Sequence, residues 1–206
     1  MRKPGVLKNT FIAPLRPRLI AAANPPRAYS WIEGTPITLG QNDLHGTCLC
    51  CMAYNAGYVT AMRAGVKLPV DEIGPFTLYQ KLGGMPADIG LNPATLFTYW
   101  QANSINGYRL ADIESLALDD PDAIEEAIID TGFAGCTATL DQAQMTQKDW
   151  ALFPNSPEDG DHAFLATGRI GSRFTDATWG KEAWFETDWF AKQGLNCWRF
   201  ELQKTI

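Results

Sequence analysis

The sequence predicts an α+β fold in which helices come early in the chain and strands come late. The apolar run from Cys48 to about Arg63, followed by Gly65, is the best helix in the chain. After residue 133, short runs of β-branched and aromatic residues are separated by turn residues, which is typical of strands. At 206 residues, with 46% hydrophobic and 19% charged residues, the chain is long enough for one core. Helices and strands segregated in this way indicate an α+β architecture.

Residues 1–28 are predicted to form an extended, basic, proline-rich arm. The first 32 residues contain no acidic residue and six basic ones: Arg2, Lys3, Lys8, Arg16, Arg18 and Arg27. The rest of the chain then has 11 basic against 23 acidic residues. A basic arm beside an acidic body is expected to lie either along its own domain or on an acidic protein partner, such as a neighbouring copy or a component of a viral particle.

Residues 29–206 are predicted to form a single domain, helical at about 42–132 and β-rich at about 133–206. Segment 29–40 has strand-like residues and leads into a turn at Asn42. Beyond the Cys48 helix, three stretches have helical character, and one has extended character. The helical stretches are 75–83, 92–103 and 119–132, and the extended one is 107–118. Asn92 is the expected cap of the second helix, with Pro93 at its first position. The third helix has Pro121 at its start and Gly132 as its stop.

The β part of the sequence begins with FAGCTATLD (133–141) and continues after a loop-rich stretch at 142–161. Residues 162–180 are predicted as two strands joined at Gly171-Ser172. Residues 184–203 supply further strand or short helix with several tryptophans.

A candidate nucleophile follows the turn NDLHGTC (42–48). Cys48 falls on the first turn of the predicted helix, where unpaired backbone N–H groups and the helix dipole favour thiolate over thiol. The five cysteines are an odd number, and three of them lie within four positions, so we expect reduced thiols rather than a disulfide framework. Cys50 and Cys51 are expected to be buried apolar residues, and no metal or cofactor site is predicted.

The candidate general base is His162, because the chain has only two histidines and this one begins an apolar strand directly after a loop. A cysteine at a helix start and a histidine at a strand start suit a thiolate–imidazolium pair. His45 is expected to hydrogen bond locally within the turn. An imidazole base also needs a group that fixes its tautomer, for which Asp176 is the first candidate and Thr178 with Trp179 the second.

The oxyanion of an acyl-transfer reaction would be met by the Cys48 backbone N–H and a side-chain amide just upstream. Asn42 is the first candidate for that amide, and Gln41 is the second. A turn-forming role for Asn42 is compatible with this one.

Five segments resemble motifs of one known family and occur in the same order. YSW (29–31) resembles V-D-W, NDLHGTC (42–48) resembles Q-x-x-x-G-S-C, and 119–141 is similar to a helix-then-strand segment that precedes a histidine. DHAFLATG (161–168) resembles D-H-A-V-x-x-V-G, and ATWGKEAWFETDWF (177–190) resembles N-S-W-G-x-x-W-G-x-x-G-Y-F. The family is the papain-like cysteine peptidases, and the variants N-D-x-x-G-x-C and T-W-G resemble its divergent members in bacteriophages and some bacteria.

This resemblance implies a papain-like fold, with a helical lobe whose central helix carries the cysteine and a C-terminal antiparallel sheet or barrel lobe. It also implies Cys48 as nucleophile, His162 as base and Asn42 at the oxyanion position. The asparagine that orients the histidine in the family falls on Ala177 here. A second alignment of this segment with the family motif would make Cys51 the nucleophile, but it moves Gly46-Thr47 away from the thiol.

Two functions from different classes follow. The first is a cysteine peptidase or amidase acting on a peptide, isopeptide or cell-wall peptide bond. The second is a catalytically impaired interaction protein, for instance a phage virion component anchored by residues 1–28. The acidic balance argues against nucleic acid as the main ligand. Neither a membrane span nor a secretory signal is predicted, so the expected location is the cytoplasm or a virion.

Overall fold

The structure, a computed structural model, describes residues 28–145 and 147–205, and the predicted arm lies outside them apart from Ala28. Within these residues an eight-stranded sheet has helices on both of its faces. The helices are α1 Cys48–Arg63, α2 Gly74–Lys81, α3 Pro93–Ala102, α4 Pro121–Thr131 and α5 Thr187–Gln193. The strands are β1 Ala28–Ser30, β2 Tyr108–Ser115, β3 Ala134–Asp141, β4 Asp149–Trp150, β5 Glu158–Ile170, β6 Arg173–Thr178, β7 Lys181–Glu186 and β8 Gly194–Lys204.

The sheet has the strand order β2-β8-β3-β5-β6-β7-β4, and β1 pairs with the end of β5. Each of these pairings is antiparallel except the short parallel one between β4 and β7. Strand β5 lies in the middle of the order and is the longest, at 13 residues. It therefore connects the chain entering at β1 with both halves of the sheet.

Two apolar cores form because successive side chains of a strand point to opposite faces. On one face, α1, α2 and α3 pack against Ala163 and Leu165 of β5 and against Trp198 and Phe200 of β8. On the other face, α4 and α5 pack with an aromatic group that includes Trp150 and Phe164. Strand β5 contributes side chains to both cores.

Helix α1 is buried on nearly all sides, with 12 of its 16 residues buried. A helix that is apolar all round belongs inside a protein, between other elements. Its N-terminal end carries Cys48, so the fold places the candidate nucleophile at the end of a rigid central element.

The predicted helices and strands are largely confirmed. The side chain of Asn92 caps α3 by accepting a hydrogen bond from the Ala94 backbone at 2.8 Å. Gly132 ends α4 in the left-handed region, at φ 97°. Two segments differ from the prediction: 29–40 has regular structure only at Tyr29–Ser30, and the stretch 142–161 holds β4 and the first residues of β5. Strand β2, at the predicted extended stretch, pairs with β8 and so joins the sheet.

In the described residues, no helix combines the length and apolar character that crossing a bilayer requires.

Candidate active site

The turn before α1 is built on the backbone of Gln41. The Gln41 carbonyl accepts hydrogen bonds from the N–H groups of Leu44 (3.0 Å) and His45 (2.9 Å). Cys48 is the first residue of α1, and Thr47 is its N-cap. The Thr47 hydroxyl donates to the Gly40 carbonyl at 3.0 Å and makes no capping hydrogen bond. The first N–H groups of α1 are therefore not covered by a side-chain cap.

Glu72 and Asn55 hold the chain that leads into this turn. One carboxylate oxygen of Glu72 accepts hydrogen bonds from the backbone N–H groups of Leu39 (3.0 Å) and Gly40 (2.9 Å) and from the Thr38 hydroxyl (2.9 Å). The Asn55 side chain accepts from the Thr38 N–H at 2.9 Å. The hydrogen bonds to the Glu72 carboxylate are charge-assisted, and bonds of this kind fix the position of a loop.

Asp88 holds the other side of the turn. Its carboxylate accepts from the Gly46 N–H at 2.9 Å and from the Tyr79 hydroxyl at 3.2 Å, and it lies 3.1 Å from Nδ1 of His45. The His45 ring also stacks on Phe76, with 4.7 Å between the ring centroids. The expected local hydrogen bond within the turn is therefore wrong for the His45 side chain, because its partner, Asp88, lies 43 residues away in the sequence.

Cys50 and Cys51 are buried, as expected from the sequence. Burial raises the pKa of the Cys50 thiol well above its ordinary value, and it also raises the pKa of Cys51. The Cys51 thiol points back at the Leu39 carbonyl, 3.3 Å away. These raised pKa values suit the two thiols to packing rather than to nucleophilic attack.

His162 is fully buried, and three side chains hold its ring. Its Nε2 lies 2.5 Å from the hydroxyl oxygen of Thr178, on the neighbouring part of β6. Its ring stacks on Trp179, with centroids 4.2 Å apart and planes at 23°. Trp150 contacts the same ring edge to face at 6.0 Å. Together these contacts fix the plane of the imidazole and the direction of one nitrogen.

Asp176, the first candidate for orienting His162, does not hydrogen bond to the imidazole. Its side chain is fully buried on β6, and neither carboxylate oxygen has a hydrogen-bond partner. Burial raises the pKa of this carboxyl well above its ordinary value, partly offset by Lys181. Thr178, the second candidate, makes the contact to Nε2 of His162.

Ala177, at the position of the family's orienting asparagine, points to the other face of the sheet. It is buried in the same core as Cys48 and Leu165. A polar side chain at position 177 would enter an apolar core, where burial without a hydrogen-bond partner costs free energy.

Asn42 is buried, with 1% of its surface exposed, whereas Gln41 is partly exposed. The side-chain oxygen of Asn42 accepts no hydrogen bond. Gln41 has a positive φ of 60°, as its place at the corner of the turn requires. The structure thus places the amide of Asn42, rather than that of Gln41, inside the protein beside the turn.

The two halves of the candidate site are carried by elements that pack together. Helix α1, which begins at Cys48, contacts β5, the strand that carries His162. Cys48 and His162 both have 0% exposed surface. In the described residues, no group of three or more His, Cys, Asp or Glu side chains is arranged to hold a metal ion.

Sequence reasoning did not find Glu72, Asp88 or Trp150. The two carboxylates act on backbone N–H groups of a distant turn, and Trp150 reaches His162 from a two-residue strand. Residue type and spacing give no signal for such contacts.

No protein-family model and no curated protein sequence matches the chain. Among solved structures, the chain is similar to xylellain, a cysteine protease from Xylella fastidiosa, with a TM-score of 0.75 and 13% identity over 100% of this chain and 98% of that one. It is also similar to procathepsin B S9 from Trypanosoma congolense (TM-score 0.64, 11% identity, 99% of this chain and 87% of that one). A third similar structure is digestive procathepsin L 3 of Tenebrio molitor larval midgut (TM-score 0.64, 12% identity, 96% and 76%). The chain therefore has the papain-like α+β fold.

Proposed function

We propose that this protein is a papain-like cysteine peptidase or amidase that transfers an acyl group from a peptide or isopeptide bond to Cys48. The observation that carries the proposal is the fixed imidazole of His162. Its Nε2 is held by Thr178 and its face is covered by Trp179, on a strand that packs against the helix of Cys48. Fixing one nitrogen of the imidazole orients the ring for a defined proton transfer at the other nitrogen.

In the proposed mechanism, the Thr178 hydroxyl accepts a hydrogen bond from the Nε2–H of His162. This tautomer leaves Nδ1 to take the proton of the Cys48 thiol. The thiolate attacks the carbonyl carbon, and the oxyanion is stabilised by the Cys48 N–H and the amide of Asn42. His162 then gives its proton to the leaving amine, and water hydrolyses the thioester.

The turn residues serve the same reaction by keeping the oxyanion groups in place. Glu72 and Asp88 fix the backbone on the two sides of Asn42, from Leu39 to Gly46. Stabilisation of an oxyanion depends on donors that are fixed before the reaction starts. These carboxylates are positioning residues.

Mapping the sites of iodoacetamide alkylation tests the assignment of Cys48 on the full chain at neutral pH. All five cysteines are buried, so access alone does not favour any one of them. A thiolate reacts far faster than a thiol, and we expect Cys48 to be modified first and His162→Ala to slow this reaction. The unfolded protein, in which the five thiols are equally accessible, is the control. Modification of another cysteine while Cys48 stays unmodified would contradict the proposal.

Peptide hydrolysis tests turnover. A fluorogenic peptide library should reveal cleavage by the parent protein that is lost in Cys48→Ala, with Cys50→Ala as the matched control at an equally buried position. Cleavage that survives Cys48→Ala would exclude Cys48 as the nucleophile.

The second candidate is an interaction protein that has the fold but no turnover, with residues 1–28 as the anchor to a protein partner such as a phage virion component. The complete burial of Cys48 and His162, together with Ala177 at the orienting position, favours it. Cys48 would then stay unreactive and no peptide would be cleaved. The anchor is tested by comparing the size of the particles formed by the full chain with those formed by a chain that starts at residue 29. Unchanged assembly of the shorter chain would show that residues 1–28 do not act as an anchor.

A further inference from the structure

Cys136 and Cys197 are two buried thiols that the proposed reaction does not use. They lie on the adjacent antiparallel strands β3 and β8, directly opposite each other in the register. Their sulfur atoms are 3.6 Å apart, and the exposed fractions of the two residues are 0% and 2%. The other three cysteines are grouped at the start of α1, and two of them, Cys48 and Cys50, belong to the other core.

The backbone geometry at this pair suits a covalent link. Residues directly opposite each other on antiparallel strands have Cα atoms roughly 4.5–5.5 Å apart, which is inside the range that disulfides span. The sulfur atoms must approach by roughly 1.5 Å to reach the usual bond length of about 2.05 Å. Rotation about the two Cα–Cβ bonds supplies most of that movement, so the strands can stay in place.

We propose that Cys136 and Cys197 are a redox site that forms a reversible cross-strand disulfide with low-molecular-weight disulfides such as oxidised glutathione. One protein thiolate attacks a sulfur of the small disulfide, forming a mixed disulfide and releasing one small thiol. The second protein thiolate then attacks the protein sulfur of the mixed disulfide and releases the other small thiol. Two protein thiols thus lose two protons and two electrons, and the small disulfide is reduced to two thiols.

Access to the pair is controlled by the sheet. The pairing of β3 with β8 covers only four residue pairs and has a register shift between Thr137 and Ala138, one residue beyond Cys136. Burial, together with Cys197, raises the pKa of the Cys136 thiol well above its ordinary value, so the folded protein reacts slowly. Oxidation is therefore fast during folding and slow afterwards, when it depends on local opening of β8.

The link would enclose the strands that carry the proposed base. The segment between the two cysteines includes β5 with His162 and β6 with Thr178. A disulfide that closes a loop of this length restricts the unfolded chain and raises the midpoint of thermal unfolding, by roughly 5–15 °C for a protein of this size. The redox state would thus set the stability of the β part without touching Cys48.

The experiment is a peptide map of the full chain refolded with oxidised glutathione, against the same chain refolded with dithiothreitol. Trypsin places Cys136 in peptide 110–148, Cys197 in peptide 193–199, and the other three cysteines together in peptide 28–63. We expect peptides 110–148 and 193–199 to be joined by a disulfide in the oxidised sample. The midpoint of thermal unfolding should be higher in that sample by roughly 5–15 °C. Cys197→Ala should abolish both effects, while Cys50→Ala, the matched buried control, should retain them.

Recovery of both peptides as free thiols or as separate glutathione adducts would overturn the proposal, and so would a link from either peptide to 28–63. The map is read on the parent protein, so it decides the question even if Cys197→Ala does not fold. Neither readout requires turnover, and a failure here is therefore distinct from a failure of the proposed peptidase activity.

Discussion

Replacing Thr178 with valine tests the contact on which the proposed mechanism depends. The substitution keeps the size and branching of the side chain and removes the hydroxyl that lies 2.5 Å from Nε2 of His162. A hydrogen bond to a group that becomes charged contributes about 1.5–3 kcal/mol. Since about 1.4 kcal/mol corresponds to a tenfold change in rate, kcat/KM should fall by roughly 10- to 150-fold.

The assay is hydrolysis of a peptide substrate found by screening, measured with the rate of Cys48 alkylation across pH. Thr178→Val should lower both and alter the pH profile, because the imidazole is no longer held in one orientation. Thr178→Ser, which keeps the hydroxyl, should retain most of the activity. Circular dichroism of each variant controls for folding.

Asp176→Asn is the matched comparison on the same strand, since the side-chain oxygens of Asp176 have no hydrogen-bond partner. Its effect on kcat/KM should stay within about twofold, well below the loss expected for a hydrogen bond to a charged group. A folded Thr178→Val protein with parental kcat/KM, or an equal loss in Asp176→Asn, would refute the assignment of Thr178 as the orienting group.

Three further changes give measurable outcomes. Burial raises the pKa of Asp176 in the folded state, so the unfolded chain binds fewer protons above about pH 4. The free energy of unfolding therefore falls as pH rises, by at most about 1.4 kcal/mol per pH unit. Denaturant titrations of Asp176→Asn should lack this slope and show higher stability at pH 7, whereas parallel pH curves for variant and parent would contradict it. Asp88→Ala removes the acceptor of the Gly46 N–H and should lower kcat/KM roughly tenfold and speed amide exchange in the turn, whereas unchanged exchange would show that the carboxylate does not hold it. Gly135→Ala would bring a Cβ atom within 2.4 Å of the Phe200 ring and should cost roughly 1–3 kcal/mol in urea unfolding, with parental stability as the opposing result.

The helices could be predicted from the sequence because their signals are local. Asn92, Pro121 and Gly132 lie at helix ends where capping and breaking depend only on the neighbouring backbone. The two-residue strand β4 gave no such signal, since it forms only by pairing with β7. Short strands depend on partners distant in the chain, and a pattern within one segment cannot show them.

The candidate site divides in the same way. Residue type and position relative to the predicted elements make Cys48 and His162 candidates, and the structure puts them at the start of a helix and inside a strand of the sheet that packs on it. The residue that hydrogen bonds to the histidine could not be predicted in this way, because Asp176 and Thr178 both point to the same face of β6. Which of them reaches the ring depends on the register between β5 and β6, and that register shifts near Ala166.

The aromatic surroundings of His162 also make the site visible by spectroscopy. Trp179 lies face to face with the imidazole, and Trp150 contacts its edge. A protonated imidazole quenches the fluorescence of an indole that it touches, whereas the neutral ring does so weakly. Emission followed across pH should therefore report the charge of His162 in the absence of any substrate, and Trp179→Phe should remove most of that optical signal.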